Sequence, residues 1–258
     1  MSLPLHLRSY GERGRTILLL HGLFGSSANW GSIARQLASD YRVSVPDLRN
    51  HGQSPHSPDV SYAAMVDDLL ALLPDDGAER PLIVGHSMGG KVAMQLALHH
   101  PHRVAGIAVV DMAPVGYRHR FDGVLAAFDA VDLATVGSRG DADAQMSTVI
   151  PEPGLRAFLL QNLVKADGQW QWRLNLPALR AGQQQITAFE VAEDAVYPGP
   201  AWFIHGAKSD YLLPEHRPQI ERLFPRAEIC TVADAGHWVY AEQPQGFAEC
   251  LQGFLDSV

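Results

Sequence analysis

The stretch LIVGHSMGGKVAMQLA, residues 82–97, joins a run of large apolar residues to a segment with helical spacing. Ser87 stands at the junction, with Gly85 and Gly89 two residues to either side of it. A G-x-S-x-G pentad between a buried strand and a helix indicates a tight turn that lifts a serine hydroxyl above the edge of a sheet. Glycine is expected at both flanking positions because a Cβ atom there would meet neighbouring backbone. The pentad therefore predicts Ser87 as a catalytic nucleophile.

Apolar runs alternate with helical patterns along most of the chain, which is typical of a parallel sheet covered by helices. LPLHLRSYG near the start predicts an edge strand. Further strands are predicted at 16–21, 41–47, 81–87, 104–111, 201–206 and 227–232. Helices are predicted at 61–73, with Ser61 as the N-cap, at 88–100 and at 244–258.

The alternation stops between residues 112 and 196. This region contains two segments with helical patterns and one extended segment, 121–136, 153–166 and 169–179. Because strand-like runs resume at Ala201, we interpret the region as an insertion rather than as an independent domain. The sequence therefore predicts an α/β fold with a core made of residues 1–111 and 197–258. A mainly helical cap, residues 112–196, is expected after the sixth strand.

Composition limits the classes of partner. The chain has 258 residues and a formal net charge of -8, which argues against nucleic acid or an anionic membrane surface. No apolar run is long enough to span a bilayer, and the first residues lack a signal-peptide pattern, so a cytoplasmic location is expected. Cys230 and Cys250 suggest neither a disulfide framework nor a metal site, and we expect both to be buried apolar fillers.

A serine nucleophile needs a base, and the chain has 12 histidines. His237 in ADAGHWVYAEQP follows the last predicted strand and precedes the last helix, which gives the chain order serine, acid, histidine. Asp210 follows the strand at 201–206, and Asp111 ends the strand at 104–111. Either carboxylate could orient the imidazole, and the local sequence alone leaves the two open.

The segment HGLFG, which follows the strand at 16–21, supplies an irregular turn near the serine. We expect the backbone N–H groups of Leu23 and Met88 to form an oxyanion hole. PDLRNHGQS carries Asp47, Arg49 and His51, which could be read as a catalytic or metal cluster. We interpret these three side chains instead as a hydrogen-bonded turn that supports the HGLFG loop.

The pieces HGLFGS, D-x-R-N-H-G-x-S, GHSMGGKVAM, VVDMAPV, W-x-x-N-L-P and AGHWVYAEQP together resemble the α/β-hydrolase superfamily over nearly the whole chain. They are most similar to the subgroup of the bacterial esterase YbfF and its mitochondrial relatives. This resemblance implies hydrolysis of short acyl esters and acyl-CoA thioesters. In that subgroup the aspartate of the D-[MI]-A-P-V segment is the acid, and a serine stands where most hydrolases carry it. The resemblance thus favours Asp111 over Asp210 and gives Ser209 an accessory role.

The predicted function is a serine-dependent carboxylic ester hydrolase or thioesterase that acts on small or medium acyl substrates without cofactor or metal. Five aromatic residues are candidates for the substrate pocket, namely Phe24, Phe121, Phe128, Phe158 and Trp238. Carbon–carbon bond hydrolysis or perhydrolysis on the same triad is the alternative, since fold and triad do not separate these reactions. The alternative outside the enzymes is a non-catalytic binding protein that keeps the pocket as a receptor. The protein is expected to be a monomer or a small homo-oligomer.

Overall fold

The structure is a computed structural model that describes residues 2–73, 79–118 and 121–258. The strands are β1 (Leu7–Tyr10), β2 (Thr16–Leu20), β3 (Arg42–Pro46), β4 (Leu82–His86), β5 (Gly106–Val110), β6 (Leu163–Ala166), β7 (Gln169–Trp172), β8 (Ala201–Gly206) and β9 (Ala227–Val232). The helices are α1 (Gly31–Leu37), α2 (Tyr62–Leu70), α3 (Met88–His99), α4 (Asp122–Asp129), α5 (Arg139–Met146), α6 (Pro153–Leu159), α7 (Leu176–Ala181), α8 (Gln183–Thr187), α9 (Arg217–Leu223), α10 (Val239–Glu242) and α11 (Pro244–Asp256). Short 3-10 helices span Ser27–Trp30, Pro101–Arg103, Leu160–Asn162 and Pro214–His216.

In the described residues the main sheet has seven strands in the order β1-β3-β2-β4-β5-β8-β9. The edge strand β1 is antiparallel to β3, and the remaining neighbours are parallel. Alternate residues of β2 enter different apolar clusters, with Leu18 and Leu20 in one and Ile17 and Leu19 in the other. Because successive strand side chains point to opposite faces, the two clusters lie on either side of the sheet. The predicted strands of this sheet are confirmed, with small differences at their ends.

The turn between β4 and α3 has the backbone geometry expected of a nucleophile elbow. Ser87 has φ 52° and ψ −115°, in the positive-φ region that non-glycine residues rarely adopt. An added Cβ at Gly85 would lie 2.2 Å from the carbonyl oxygen of Gly89, and one at Gly89 would lie 2.5 Å from that of Leu20. The two glycines are therefore required because backbone from β2 and α3 occupies the space of a side chain.

Two buried histidines hold the loop after β2. The amide of Leu48 donates to His21 Nε2 at 2.9 Å, and the amide of Phe24 donates to His51 Nε2 at 3.2 Å. Because each Nε2 accepts a hydrogen bond, each ring is neutral and its Nδ1–H donates to a nearby backbone carbonyl. Burial lowers the pKa of His21, and it lowers the pKa of His51 to about 3.

The turn after β3 completes this support. Asp47 accepts hydrogen bonds from the amides of Ser27 at 2.6 Å and Gln53 at 2.8 Å. Arg49 forms a buried two-point ion pair with Asp68, at 2.7 and 2.8 Å. The interpretation of Asp47, Arg49 and His51 as a structural turn is confirmed. None of the described histidine, cysteine, aspartate and glutamate side chains forms a group of three suited to a metal ion.

The insertion lies between β5 and β8 and contains α4 to α8 and the hairpin of β6 and β7. Five strands of the main sheet precede it, so the expectation of six is wrong by one. The helical prediction for 153–166 holds for α6 but is wrong for residues 163–166, which form β6. Asp167 and Gly168 have φ 51° and 81° and form the two-residue turn of the hairpin, which is the Asp-Gly signal that the helical pattern obscured.

The two cysteines are not separate apolar fillers, and that expectation is wrong. Cys230 of β9 forms a disulfide with Cys250 of α11, with 6.0 Å between their Cα atoms. The helix packs back across the strand that precedes it, and its buried face carries Phe247, Leu251 and Phe254. This packing brings together two positions that are 20 residues apart. No helix in the described part of the chain combines the length and the apolarity that crossing a membrane requires.

Replacing Gly85 with alanine is expected to lower the free energy of unfolding by about 3 kcal/mol, because the new Cβ must displace backbone in a packed interior. The matched control is Gly123→Ala in α4, where no atom lies within 4 Å of an added Cβ. This control should be neutral or should stabilise by up to about 1 kcal/mol, since alanine favours a helix. Urea unfolding of both variants measures the difference, and equal midpoints would contradict the steric argument.

Replacing His51 with glutamine is expected to flatten the dependence of stability on pH. The folded pKa of about 3 lies below the unfolded value of 6.5, so only the unfolded state gains this proton as pH falls through that interval. The wild type therefore loses about 1.4 kcal/mol per pH unit through His51 below about pH 6.5. Urea unfolding at pH 7, 6, 5 and 4 compares the slopes. Parallel lines for the wild type and His51→Gln would refute the buried neutral ring.

Candidate active site

A buried carboxylate holds His237 at the carboxyl edge of the sheet. Asp111 follows β5 and is 0% exposed. Its Oδ2 atom accepts a hydrogen bond from His237 Nδ1 at 2.7 Å and another from the hydroxyl of Ser209. Its Oδ1 atom accepts from the amide of Gly206 at 3.1 Å. These donors fix the carboxylate, and the carboxylate in turn fixes the tautomer of His237 with the proton on Nδ1.

Asp210 occupies a different position from the one that a triad acid requires. Its side chain is exposed, and the neighbouring Ser209 is the residue that reaches Asp111. The Nδ1 atom of His237 is already bonded to Asp111. The structure thus brings Asp111 and Ser209 together with His237 and leaves Asp210 at the surface.

Ser87 and His237 border the same cavity, which has a volume of about 150 Å³. Leu23 lines this cavity, and it also lines a smaller space of about 20 Å³ together with Ser87 and Met88. Ser87 is the N-cap residue of α3, so the first N–H groups of that helix lie beside it. A helix N-terminus carries partial positive charge, and an anion that forms at this point is stabilised.

Four of the five predicted pocket aromatics line the 150 Å³ cavity, namely Phe24, Phe121, Phe158 and Trp238. Phe128 does not line it. Its side chain is 1% exposed, and its ring packs against Phe24 at 5.5 Å and Trp172 at 4.8 Å between ring centroids. Phe128 is therefore an interior packing residue that supports Phe24, which is the other role that helical spacing allows.

Two residues that the sequence reasoning missed contact His237. The Nε2–H group of His86 donates to the backbone carbonyl of His237 at 2.9 Å, and burial lowers the pKa of His86 well below its usual value. The ring of Tyr211 stacks on His237 with 4.1 Å between centroids and 24° between planes. Both residues stand next to motifs already identified, since His86 precedes Ser87 and Tyr211 lies two positions after Ser209. That both residues contact His237 is seen only in the folded structure.

The insertion is tied to the core by buried polar contacts beside the cavities. Lys91, one helical turn after Ser87, donates to the carbonyl oxygens of Thr187 at 2.7 Å and Ala188 at 2.9 Å. Its Nζ atom lies 4.9 Å from the ring centroid of Tyr117, and burial lowers its pKa to about 7. Asn162 donates to the carbonyl oxygen of Phe24 at 2.8 Å. These contacts place the insertion over both the nucleophile helix and the loop after β2.

Several known proteins are similar to this chain over most of its length. The sn-1-specific diacylglycerol lipase ABHD11 of Mus musculus is 45% identical over 247 residues, which cover 93% of this chain and 80% of the lipase. Esterase YbfF of Escherichia coli strain K12 is 37% identical over 241 residues, which cover 93% of this chain and 92% of the esterase. The solved structure of a marine microorganism esterase has a TM-score of 0.94 and 36% identity, with 100% of both chains covered.

The resemblance inferred from the motifs is thereby confirmed at the level of the family and of the YbfF relatives. Residues 17–250 match the alpha/beta hydrolase family, a span that begins within β2 and ends within α11. The chain belongs to the alpha/beta hydrolase family.

Proposed function

We propose that the protein is a serine-dependent carboxylic ester hydrolase in which Ser87, His237 and Asp111 form the catalytic triad. The observation that carries this proposal is the 2.7 Å hydrogen bond between His237 and the buried Asp111, at a cavity that Ser87 also borders. The relatives named esterase and diacylglycerol lipase support ester hydrolysis as the reaction class.

Acylation begins when the hydroxyl of Ser87 attacks the ester carbonyl carbon and His237 Nε2 takes its proton. Asp111 stabilises the imidazolium that forms. The backbone N–H groups of Leu23 and Met88 donate to the oxyanion, and each such donor is typically worth about 3–4 kcal/mol in the transition state. His237 then passes its proton to the leaving alcohol oxygen as the carbon–oxygen bond breaks.

Deacylation repeats these steps with water as the nucleophile. His237 takes a proton from water as the water oxygen attacks the acyl carbonyl carbon, and the proton passes to the oxygen of Ser87 as the bond between that oxygen and the acyl carbon breaks. The products are one carboxylic acid and one alcohol. Ser209 acts through Asp111, because its hydroxyl donates to the carboxylate oxygen that holds His237.

The cap, the thioester substrates and the cellular location are parts of the proposal that the sequence alone predicts. Residues 112–196 act as the cap over a core of 1–111 and 197–258, and they supply Phe121 and Phe158 to the cavity wall. Acyl-CoA thioesters use the same acylation chemistry and stay predicted substrates. A cytoplasmic location also stays a prediction, and the disulfide argues against it because disulfides are rare in reducing compartments.

Replacing Ser87 with alanine is expected to lower kcat for p-nitrophenyl acetate by about 10⁶-fold, the scale found when a triad serine is removed. Ser147→Ala is the matched control, because that hydroxyl lies at the end of α5 and donates to the carbonyl oxygen of Ala144. The control should retain wild-type kcat. Equal hydrolysis by the wild type and Ser87→Ala would instead favour a non-catalytic binding protein.

Asp111→Asn and Asp210→Asn separate the two acid candidates. Asparagine at 111 is expected to lower kcat by about 10⁴-fold, because its amide no longer holds the productive tautomer of His237. Asparagine at the exposed position 210 should change kcat less than twofold. Steady-state kinetics on one ester compares them, and a collapse confined to Asp210→Asn would reverse the assignment.

A further inference from the structure

A large apolar groove lies beside the proposed reaction cavity. Its volume is about 950 Å³, within the range of small-molecule sites, and we call it the side groove. Most of its apolar wall comes from three helices, with Ile33 and Leu37 of α1, Leu155 and Phe158 of α6, and Phe247 and Leu251 of α11. The insertion and the core therefore both contribute to it.

The side groove adjoins the 150 Å³ cavity that Ser87 and His237 border. Both spaces are lined by Asn29, Leu155, Phe158, Trp238 and Tyr240. The rings of Phe158 and Trp238 lie 5.9 Å apart between centroids at this junction. A ligand that reacts at Ser87 would have to pass this aromatic pair to reach the side groove.

The position of His237 decides which half of an ester, acyl or alcohol, points towards the side groove. His237 must deliver its proton to the leaving oxygen, so the alcohol half lies on the side of His237. His237 and Trp238 line the cavity that adjoins the side groove, and Trp238 also lines the groove itself. The acyl half points towards the other space beside Ser87 and Met88, whose volume of about 20 Å³ has room for about one water molecule.

The charged residues that line the side groove indicate which kind of ligand it can bind. Among the described residues that line it, Asp40 and Glu242 carry charge, and none is lysine, arginine or histidine. A fatty acid carboxylate or the phosphates of coenzyme A would meet like charge without a compensating cation. Transfer of a neutral hydrocarbon chain from water to these apolar walls lowers its free energy.

We propose that the side groove binds the alkyl chain of the alcohol half of the substrate. The enzyme then prefers esters of a short acyl group with a long, uncharged alcohol to acyl-CoA thioesters, whose leaving group carries phosphates. This inference rests on the proposed ester hydrolysis and adds the leaving-group specificity of the same site.

A series of acetate esters tests the proposal, with ethyl, butyl, hexyl and octyl alcohols and acetate release as the signal. Each methylene that enters the side groove is expected to raise kcat/KM by about threefold. Ala248→Trp places a large ring in the groove from α11, and Ala157→Trp does so from α6 on another wall. Each should lower the ratio of kcat/KM for octyl to ethyl acetate by at least tenfold. This ratio is internal to each enzyme, so partial misfolding cannot produce the change.

Ala144→Trp is the matched control, because this exposed alanine of α5 does not line the groove. Its octyl-to-ethyl ratio should equal that of the wild type. A ratio near one in the wild type would overturn the proposal, as would an unchanged ratio in both groove variants. If the groove variants instead lose discrimination along a series of p-nitrophenyl acyl esters, the groove holds the acyl chain and the proposal is wrong.

Binding of 1-decanol to Ser87→Ala, measured by calorimetry, separates this inference from the proposed function. If decanol binding is lost in Ser87→Ala/Ala248→Trp and kept in Ser87→Ala/Ala144→Trp, an alkyl chain binds in the side groove even if no ester is hydrolysed. Equal binding by all three proteins overturns the site and leaves the hydrolase proposal standing. Dimerisation of the wild type that Ala248→Trp abolishes, with no change in the octyl-to-ethyl ratio, would show that a second copy occupies the groove and would also overturn the inference.

Discussion

The hydrogen bond between His237 and the buried carboxylate of Asp111 is the contact on which the proposed site depends. A carboxylate in the interior is stable only with hydrogen-bond donors, and this one has the imidazole, the hydroxyl of Ser209 and the amide of Gly206. The same bonds that satisfy the carboxylate also orient the ring. Stability and ring position therefore have one physical cause, and a neighbouring aspartate at the surface cannot replace it.

Rigid backbone positions the rest of the site. The positive φ of Ser87 is maintained by the close approach of β4, α3 and β2, where Gly85 and Gly89 leave room for carbonyl oxygens. The loop after β2 is held by two neutral histidines whose Nε2 atoms accept backbone amides. A protonated ring would have no Nε2 acceptor for the backbone amide, and the full burial of both side chains keeps their rings neutral. The amides proposed for the oxyanion hole thus come from segments with little freedom to move.

The insertion contributes part of the walls of both spaces beside the proposed site. Lys91 and Asn162 connect it to the nucleophile helix and to the loop after β2 through main-chain carbonyls. The bonds of Lys91 depend only on the backbone of Thr187 and Ala188, whereas the contact with the loop after β2 requires the side chain of Asn162. Phe121 and Phe158 contribute to the cavity, and Phe158 continues into the side groove. In the proposed enzyme the core carries the triad, and the insertion forms part of the substrate-binding walls.

Local sequence patterns predict the strands, the elbow and the position of His237 after the last strand, because apolar spacing and glycine mark these features along the chain. They did not reveal the hairpin at 163–172, where helical spacing obscured the Asp-Gly turn. They also left Asp111 and Asp210 open until a family resemblance was considered. The contact of His237 with Asp111, the pairing of Cys230 with Cys250 and the walls of the side groove become visible in the folded chain. Each of these depends on residues distant along the chain, and only the packing of sheet and helices sets such distances.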